Sequence, residues 1–361
     1  MPEASFDFQV HRNDLSLHRV LAPRRPTELA PGQALLRIER FALSSQSIVY
    51  GRLGPVLPLW RLFPAPSPWA RLPVWGYAQV AASTHPDAPV GERLFGCLPM
   101  TNWLLVQPGL SNERQFVDVA GHRRALPAFY NTYRRTRADA SYRVAFEDQQ
   151  MLMQPMFTSA FVFARHLAAL GYCDARQIVL SGASSKTAVA LAYVLRHEIR
   201  ADCRLVGLTS TGHRRFVQGL GDYDEVVDYA RLTAMSAHVP TVFVDFAGDI
   251  QVHAAMQRHF GDAIRLACRI FGTADAPDGP GAGDGRVSGF GLAQWRALLD
   301  GIDVDVLRDS LTPAWNRFVD ACAGWLRIDQ HAGVEALARL YESLLGGRVD
   351  PARGHVFVVS G

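Results

Sequence analysis

Val179-Leu180-Ser181-Gly182-Ala183-Ser184-Ser185-Lys186-Thr187 is the stretch on which the reading of this chain turns. An apolar run leads into it and an alanine-rich helical pattern leads out, so it reads as a strand, a tight turn and a helix start. Such turns hold phosphates in α/β proteins, because free backbone N–H groups and the helix dipole point at the anion. Lys186 is the only lysine in the chain; of 37 Lys+Arg it leaves 36 arginines. Its compact ammonium supplies a point charge that the flat arginine fork does not duplicate.

Downstream of about residue 150 the pattern alternates. A helix is expected over 159–170 and a strand over 178–180, then the Lys186 turn and a helix over 187–197. Strands follow at 205–209, 225–227, 241–246 and 264–270, with helical stretches at 214–219 and 252–259 between them. Apolar strands alternating with helices imply βαβ units and a parallel sheet. Upstream, 33–41, 74–81 and 91–96 read as short strands punctuated by glycine and proline, which suggests a curled β-rich domain. Residues 274–289 form a Gly/Asp/Pro loop, read as surface or as a lid. A helix over 334–345, stopped by Gly346-Gly347, and a strand over 356–359 close the chain. The expected division is a β-rich domain, 1–152 with 325–361, and a nucleotide domain, 153–324.

Composition narrows the function. At 361 residues, 48% hydrophobic and 20% charged, the chain reads as an ordinary globular protein of about two domains. A net charge of +3, spread thinly, lacks the clustered basic face of a nucleic-acid binder. No run of about 18 apolar residues is long enough to span a membrane, and the acidic, polar start does not resemble a signal peptide, so a cytoplasmic location is expected. Cys97, Cys173, Cys203, Cys268 and Cys322 stand far apart, as reduced thiols would, and neither they nor the histidines have zinc-ligand spacing. No metal is expected. Gly-x-Ser-x-Gly does not occur, which speaks against a Ser-His-Asp hydrolase. A Walker A loop would need glycines where Leu180 and Ser185 stand, which speaks against ATP or GTP hydrolysis.

An ordered set of features carries a resemblance. Thr158-Ser159 comes first, then the Lys186 turn, Thr209-Ser210 at a strand end, Leu220-Gly221-Asp222 through Tyr229, and Val244-Asp245-Phe246-Ala247-Gly248. This set resembles the cofactor domain of the medium-chain dehydrogenase/reductases, in particular the zinc-free quinone-reductase-like branch. Ala42 through Tyr50, Pro73-Val74-Trp75-Gly76, Tyr130-Asn131-Thr132-Tyr133, Ser184-Ser185-Lys186-Thr187-Ala188 and Leu208-Thr209-Ser210 look closer still to a domain-of-unknown-function subgroup of that superfamily. The resemblance implies an α/β fold, a Rossmann-type parallel-sheet nucleotide domain plus a β-rich, barrel-like (GroES-like) catalytic domain. It also implies a homodimer, and it supplies no reaction.

The usual G-x-G-x-x-G is missing; Gly182 stands alone in the turn. Hydroxyls and an ammonium from Ser184, Ser185, Lys186 and Thr187 are then expected to contact phosphate where glycine backbone otherwise would. An acidic residue about 20 positions past the fingerprint would bind the ribose 2′-hydroxyl of NAD. Here the strand end reads Thr209-Ser210-Thr211-Gly212-His213-Arg214-Arg215, without a carboxylate, and Asp202 precedes the strand. Arg214 and Arg215 suit a 2′-phosphate, so NADP(H) is the expected cofactor. By resemblance, Gly248 lies near the cofactor and Thr158 near the nicotinamide. Tyr50 is the candidate proton donor, with Tyr130 and Asn131 as further catalytic candidates and Trp75 and Phe157 as apolar walls. The function these residues imply is reduction of a carbonyl, an activated C=C bond or a quinone, with an apolar small-molecule substrate. A catalytically silent nucleotide sensor or scaffold is the competing reading.

Overall fold

The computed structural model describes residues 5–54, 58–269, 288–290, 297–298, 304–347 and 350–359. The chain divides into two compact units, Met1–Leu152 with Leu326–Gly361, and Met153–Trp325.

The first unit is β-rich. Its larger sheet runs, edge to edge, through Arg327–His331, Arg353–Val358, Ala34–Leu43, Pro73–Ser83, Arg93–Pro99, Thr132–Arg135, Gln115–Asp118 and Pro108–Gly109, and Trp103–Val106 also pairs with Ala34–Leu43. A smaller sheet joins Asp14–Leu21, Asp7–His11 and Trp69–Ala70. The pairings are antiparallel except for Arg327–His331 with Arg353–Val358. Inward side chains such as Phe8, Leu36, Phe41, Leu98, Phe116 and Phe357 form one core, and helix Val334–Leu345 closes it with Leu337 and Tyr341. Burying these faces is the main favourable contribution to the unit, at roughly 25 cal/mol per Å² of apolar area.

The second unit is a parallel sheet. Its order is Glu225–Asp228, Arg204–Thr209, Gln177–Ser181, Thr241–Asp245, Ile264–Arg269, Ser288–Phe290, with all neighbours parallel. Numbered along the chain this is the 3-2-1-4-5-6 order of a doubly wound dinucleotide fold. Gln177–Ser181 and Thr241–Asp245 are buried at every residue, as strands covered on both faces must be. Order reverses between these two strands, and ligands of such sheets bind outside the strand C-termini there. The residues at those C-termini are Ser181, Thr209, Asp228 and Asp245.

Two expected elements differ. The helix placed at 159–170 begins at Glu147 and runs to Ala169, with Pro155 inside it, so Thr158-Ser159 lies mid-helix and opens nothing. Glu147 and Asp148 in its first turn suit the positive helix end. Glu147 is held by Arg93, Arg40 and Tyr142, which fixes that start from residues far away in sequence. The helix after the turn is α-helical only over Lys186–Tyr193 and widens into a π-turn over Val194–Ile199. Of the 274–289 loop, 274–287 lie outside the described residues, and 288 and 289 belong to the last strand of the parallel sheet.

Candidate functional site

The Lys186 turn is built on backbone. Gly182 has φ +58°, and a Cβ there would lie 3.0 Å from the Ala247 amide nitrogen, so only glycine lets the turn pass this closely to the loop after Asp245. That loop is itself pinned. Ser181 Oγ donates to Asp245 Oδ1 at 2.6 Å and accepts from the N–H groups of Phe246 and Ala247. Asp245 Oδ1 also accepts from the Gly248 N–H at 3.1 Å, and Gly248 has φ +64°. Burial pushes the Asp245 carboxyl up, but hydrogen bonds from His253, Ser181 and the Gly248 amide outweigh it and hold the group below its usual range.

Several amides of the turn are already engaged. The Gly182 N–H donates to the Tyr229 hydroxyl at 2.9 Å, the Ala183 N–H to Leu208 O at 3.2 Å, and the Ser185 N–H to Gly182 O at 2.8 Å. Ser185 caps the helix by accepting from the Ala188 N–H at 3.3 Å. Lys186 is the first helical residue and half-buried, and Thr187 is buried. A cation at a helix N-terminus opposes the dipole and is relieved by a nearby anion. The turn therefore fits a phosphate through side-chain donors and the helix end, more than through a cradle of bare glycine amides.

Thr209 ends its strand buried, and Ser210 is exposed and accepts from the His213 N–H at 3.1 Å. His213 Nδ1 lies 2.9 Å from Ser184 Oγ, which joins the ends of two adjacent strands. The strand end itself carries no carboxylate, but the neighbouring strand brings one close. Asp228, from the neighbouring parallel strand, meets Arg214 with Oδ2 3.3 Å from Nη1. Sequence distance hid it, because in-register parallel strands bring together ends that are 19 residues apart, Thr209 beside Asp228. A recess of about 160 Å³ beside this pair is lined by Arg214, Glu225, Asp228, Arg231 and Met235. Arg214 Nε and Asp228 Oδ1 are buried without a hydrogen-bond partner among the described residues. Arg215 is exposed.

The three catalytic candidates lie together in the β-rich unit. Tyr50 sits on helix Ser45–Leu53, which Ser44 caps, and is 7% exposed. The Trp75 Nε1–H points at the Tyr50 oxygen at 3.4 Å, and the Tyr50 and Tyr130 rings meet edge to face at 5.9 Å. Burial pushes the Tyr50 phenol up to about 12, partly offset by hydrogen bonds from Trp75, Tyr130 and Gln46. An oxygen that accepts from these neighbours has its own hydrogen left to donate elsewhere. Asn131 Nδ2 donates to the carbonyls of Arg123 and Leu126, which fixes its amide orientation, and Oδ1 is buried without a partner. Behind them Arg123 Nε lies 3.0 Å from Asp118 Oδ2, both essentially fully buried. The Tyr133 hydroxyl accepts from Arg123 and donates to Cys97 O, which ties it into the core.

The two expected walls lie in different surroundings. Trp75 is a hydrogen-bond donor as well as a ring. Phe157 is fully buried against Phe318 at 4.7 Å and Trp315 at 5.6 Å, inside the core of the parallel-sheet unit. Thr158, next to it, is 9% exposed. Reading the sequence missed His213, Tyr229, Asp228 and the polar role of Trp75. Only strand register could have exposed Asp228; His213 and Tyr229 lie inside the quoted motifs, but nothing local gives their partners. Among the described residues no group of three His, Cys, Asp or Glu side chains could hold a metal, and no helix is long and apolar enough to cross a membrane.

Comparison with known proteins supports the same architecture. A family model described as "Protein of unknown function (DUF2855)" matches residues 41–350. No curated protein matches the chain. Among solved structures, CurA from Vibrio vulnificus in complex with NADPH is similar at 14% identity and a TM-score of 0.56, covering 95% of this chain and 94% of that one. The yhdH oxidoreductase from Salmonella enterica in complex with NADP is similar at 13% identity and 0.55, covering 98% and 100%. The quinone oxidoreductase from Coxiella burnetii is similar at 12% identity and 0.54, covering 99% and 100%. At these identities the likeness shows the fold alone: a Rossmann-type sheet and a GroES-like β-rich unit.

Proposed function

We propose, for a chain that belongs to the DUF2855 family, an NADP(H)-dependent, zinc-independent reductase of a carbonyl, an activated C=C bond or a quinone. The observation that carries the reading is the Gly182–Thr187 turn at the switch point of a 3-2-1-4-5-6 sheet, with Ser184, Lys186 and Arg214 as donors. Similar folds crystallised with NADPH and NADP support it. In this reading Ser184, Ser185, Lys186 and Thr187 hold the pyrophosphate, and Arg214, kept in place by Asp228, faces the 2′-phosphate with Arg215. Thr209, Ser210 and Gly248 border the nucleotide, and Thr158 borders its nicotinamide.

The nicotinamide, when bound, supplies hydride; the protein supplies position and field. Tyr50 donates its hydrogen bond to the acceptor oxygen that gains charge, which is stabilised most where donors are fixed beforehand. With its phenol pushed up to about 12, Tyr50 stays protonated at working pH. Tyr130 and Trp75 orient the hydroxyl, and Asn131 Oδ1 is an acceptor for a polar group of the substrate.

A thermal-shift comparison tests the cofactor, since a ligand that binds only the folded state raises its stability. NADPH is expected to stabilise more than NADH, and Lys186→Ala to remove most of that shift while leaving the unliganded melt nearly unchanged. No shift with either nucleotide refutes the reading. Tyr50→Phe is expected to lower kcat by about 10²-fold with little change in KM, followed as NADPH oxidation against enones, quinones and aldehydes. One observation favours a second reading, a silent nucleotide sensor: the amides of Gly182, Ala183 and Ser185 are satisfied within the protein. NADPH binding without oxidation by any acceptor in the panel would support it.

A further inference from the structure

We infer that Ser184 and His213 form a proton-coupled phosphate receptor, in which uptake of a proton by His213 turns Ser184 into a donor for a phosphoryl oxygen. The inference rests on the nucleotide reading above. Ser184 stands two residues before Lys186 in the turn. His213 ends the short turn Thr211–His213 after the next strand, where its N–H bonded to Ser210 O holds it. Both side chains are half-buried, and Oγ and Nδ1 are 2.9 Å apart.

A serine hydroxyl has a single hydrogen to give. Beside a neutral imidazole with bare Nδ1, that hydrogen is spent on His213. Beside an imidazolium, Nδ1–H donates to Ser184 Oγ, and the serine hydrogen is released to point outward. The same contact thus has two hydrogen-bond directions, and the protonated one presents both a positive charge and a free O–H donor. Phosphoryl oxygens favour that combination, because charge-assisted hydrogen bonds are the stronger ones. Coupling is reciprocal: if protonation tightens phosphate binding, bound phosphate draws a proton onto His213.

Charged and titratable groups on the elements that meet there include Lys186 at the helix start, Arg214 and Arg215 next to His213, Asp228 and Tyr229 at the neighbouring strand end, and Asp245 across the turn. Asp228 is engaged by Arg214, Asp245 by Ser181 and the Gly248 amide, and the Tyr229 hydroxyl by the Gly182 amide. None of these contacts gives His213 a carboxylate partner, whereas a phosphate would give it an anion. Of the side-chain types gathered here, imidazole is the one whose hydrogen-bond direction reverses on gaining a proton, since lysine and arginine only donate.

Dissociation constants for NADPH and NADH, measured from about pH 5.5 to 8.5 on the wild-type chain, His213→Gln and His213→Arg, test this. A 2′-phosphate itself titrates at about 6, so the informative quantity is the difference between wild type and variant with the same nucleotide. Acidification is expected to tighten binding about tenfold more in the wild type than in His213→Gln. His213→Arg, with a permanent cation, is expected to bind tightly with a flattened profile. A difference seen with both nucleotides points to the pyrophosphate, and one seen with NADPH alone to the 2′-phosphate; either supports the receptor. Parallel profiles in wild type and His213→Gln, with melting curves showing both folded, overturn it while leaving the cofactor reading intact. Failure of wild type to bind either nucleotide at any pH overturns both.

Discussion

The turn around Lys186 and the cluster around Tyr50 are assembled by opposite means. The turn comes from consecutive residues, and its partners arrive from strand ends that the parallel register sets side by side. Tyr50, Trp75 and Tyr130 come from a helix, a strand and a short helical segment, and antiparallel register carries Trp75 opposite Cys97. The turn holds its shape with backbone conformation and amide hydrogen bonds, pinned by the polar side chains of Ser181, Ser185, Tyr229 and Asp245. The cluster holds its shape with buried side chains, including a fully desolvated ion pair beneath it. A site built on backbone conformation suffers most where a positive-φ glycine is replaced. A cluster built from buried side chains suffers most where one partner of a desolvated pair is removed.

The largest expected effect lies on the side-chain side. Arg123→Met leaves Asp118 buried without its partner and should cost about 3–5 kcal/mol in urea unfolding. An Arg123→Met/Asp118→Leu double variant should recover much of that loss. If the single variant costs under about 1 kcal/mol, the ion pair is not what supports the cluster. Next comes Gly182→Ala, which forces a Cβ into a left-handed backbone 3.0 Å from Ala247 N and should cost about 1–3 kcal/mol. It should also weaken nucleotide binding more than Ser185→Ala does, since the cap change leaves the turn's path intact.

Acid sensitivity is the third measure. The folded Asp245 carboxyl is held below the usual carboxylate range, so its contribution is present above the unfolded value and is lost as pH falls through the folded one. Acid unfolding of Asp245→Asn should therefore be shallower than that of wild type below about pH 4. Equal slopes would remove Asp245 as the pin of the turn. The smallest effect expected is Ser185→Ala, about 1 kcal/mol, through the lost cap.

How much of this was legible in the sequence follows the same division. Apolar runs gave away five strands of the parallel sheet to within a few residues, most clearly Gln177–Ser181 and Thr241–Asp245, which are buried at every residue. The position of the turn was equally open, since strand, glycine and helix start are contiguous. The contacts that change the chemistry were not. Asp228 reaches Arg214 only through parallel register, and His213 meets Ser184 across 29 positions. The helix start at Glu147 was hidden because Arg40 and Arg93 fix it from distant strands. In the β-rich unit, the residues Tyr50, Tyr130 and Asn131 could be named, but their hydrogen-bond directions depend on Trp75 and on carbonyls of a neighbouring loop.

Lys186 stands at the first position of a helix, half-buried, in a chain with no other lysine side chain. Amine-directed chemistry on this protein therefore has a single side-chain address. Reductive methylation with ¹³C-formaldehyde and a borohydride reductant would install one side-chain dimethylammonium probe, at the turn, beside that of the α-amine, and its resonance would report the local electrostatics directly. Acylation of the same ε-amine would erase the charge without altering any other side chain, a covalent switch that arginine-rich surroundings leave untouched.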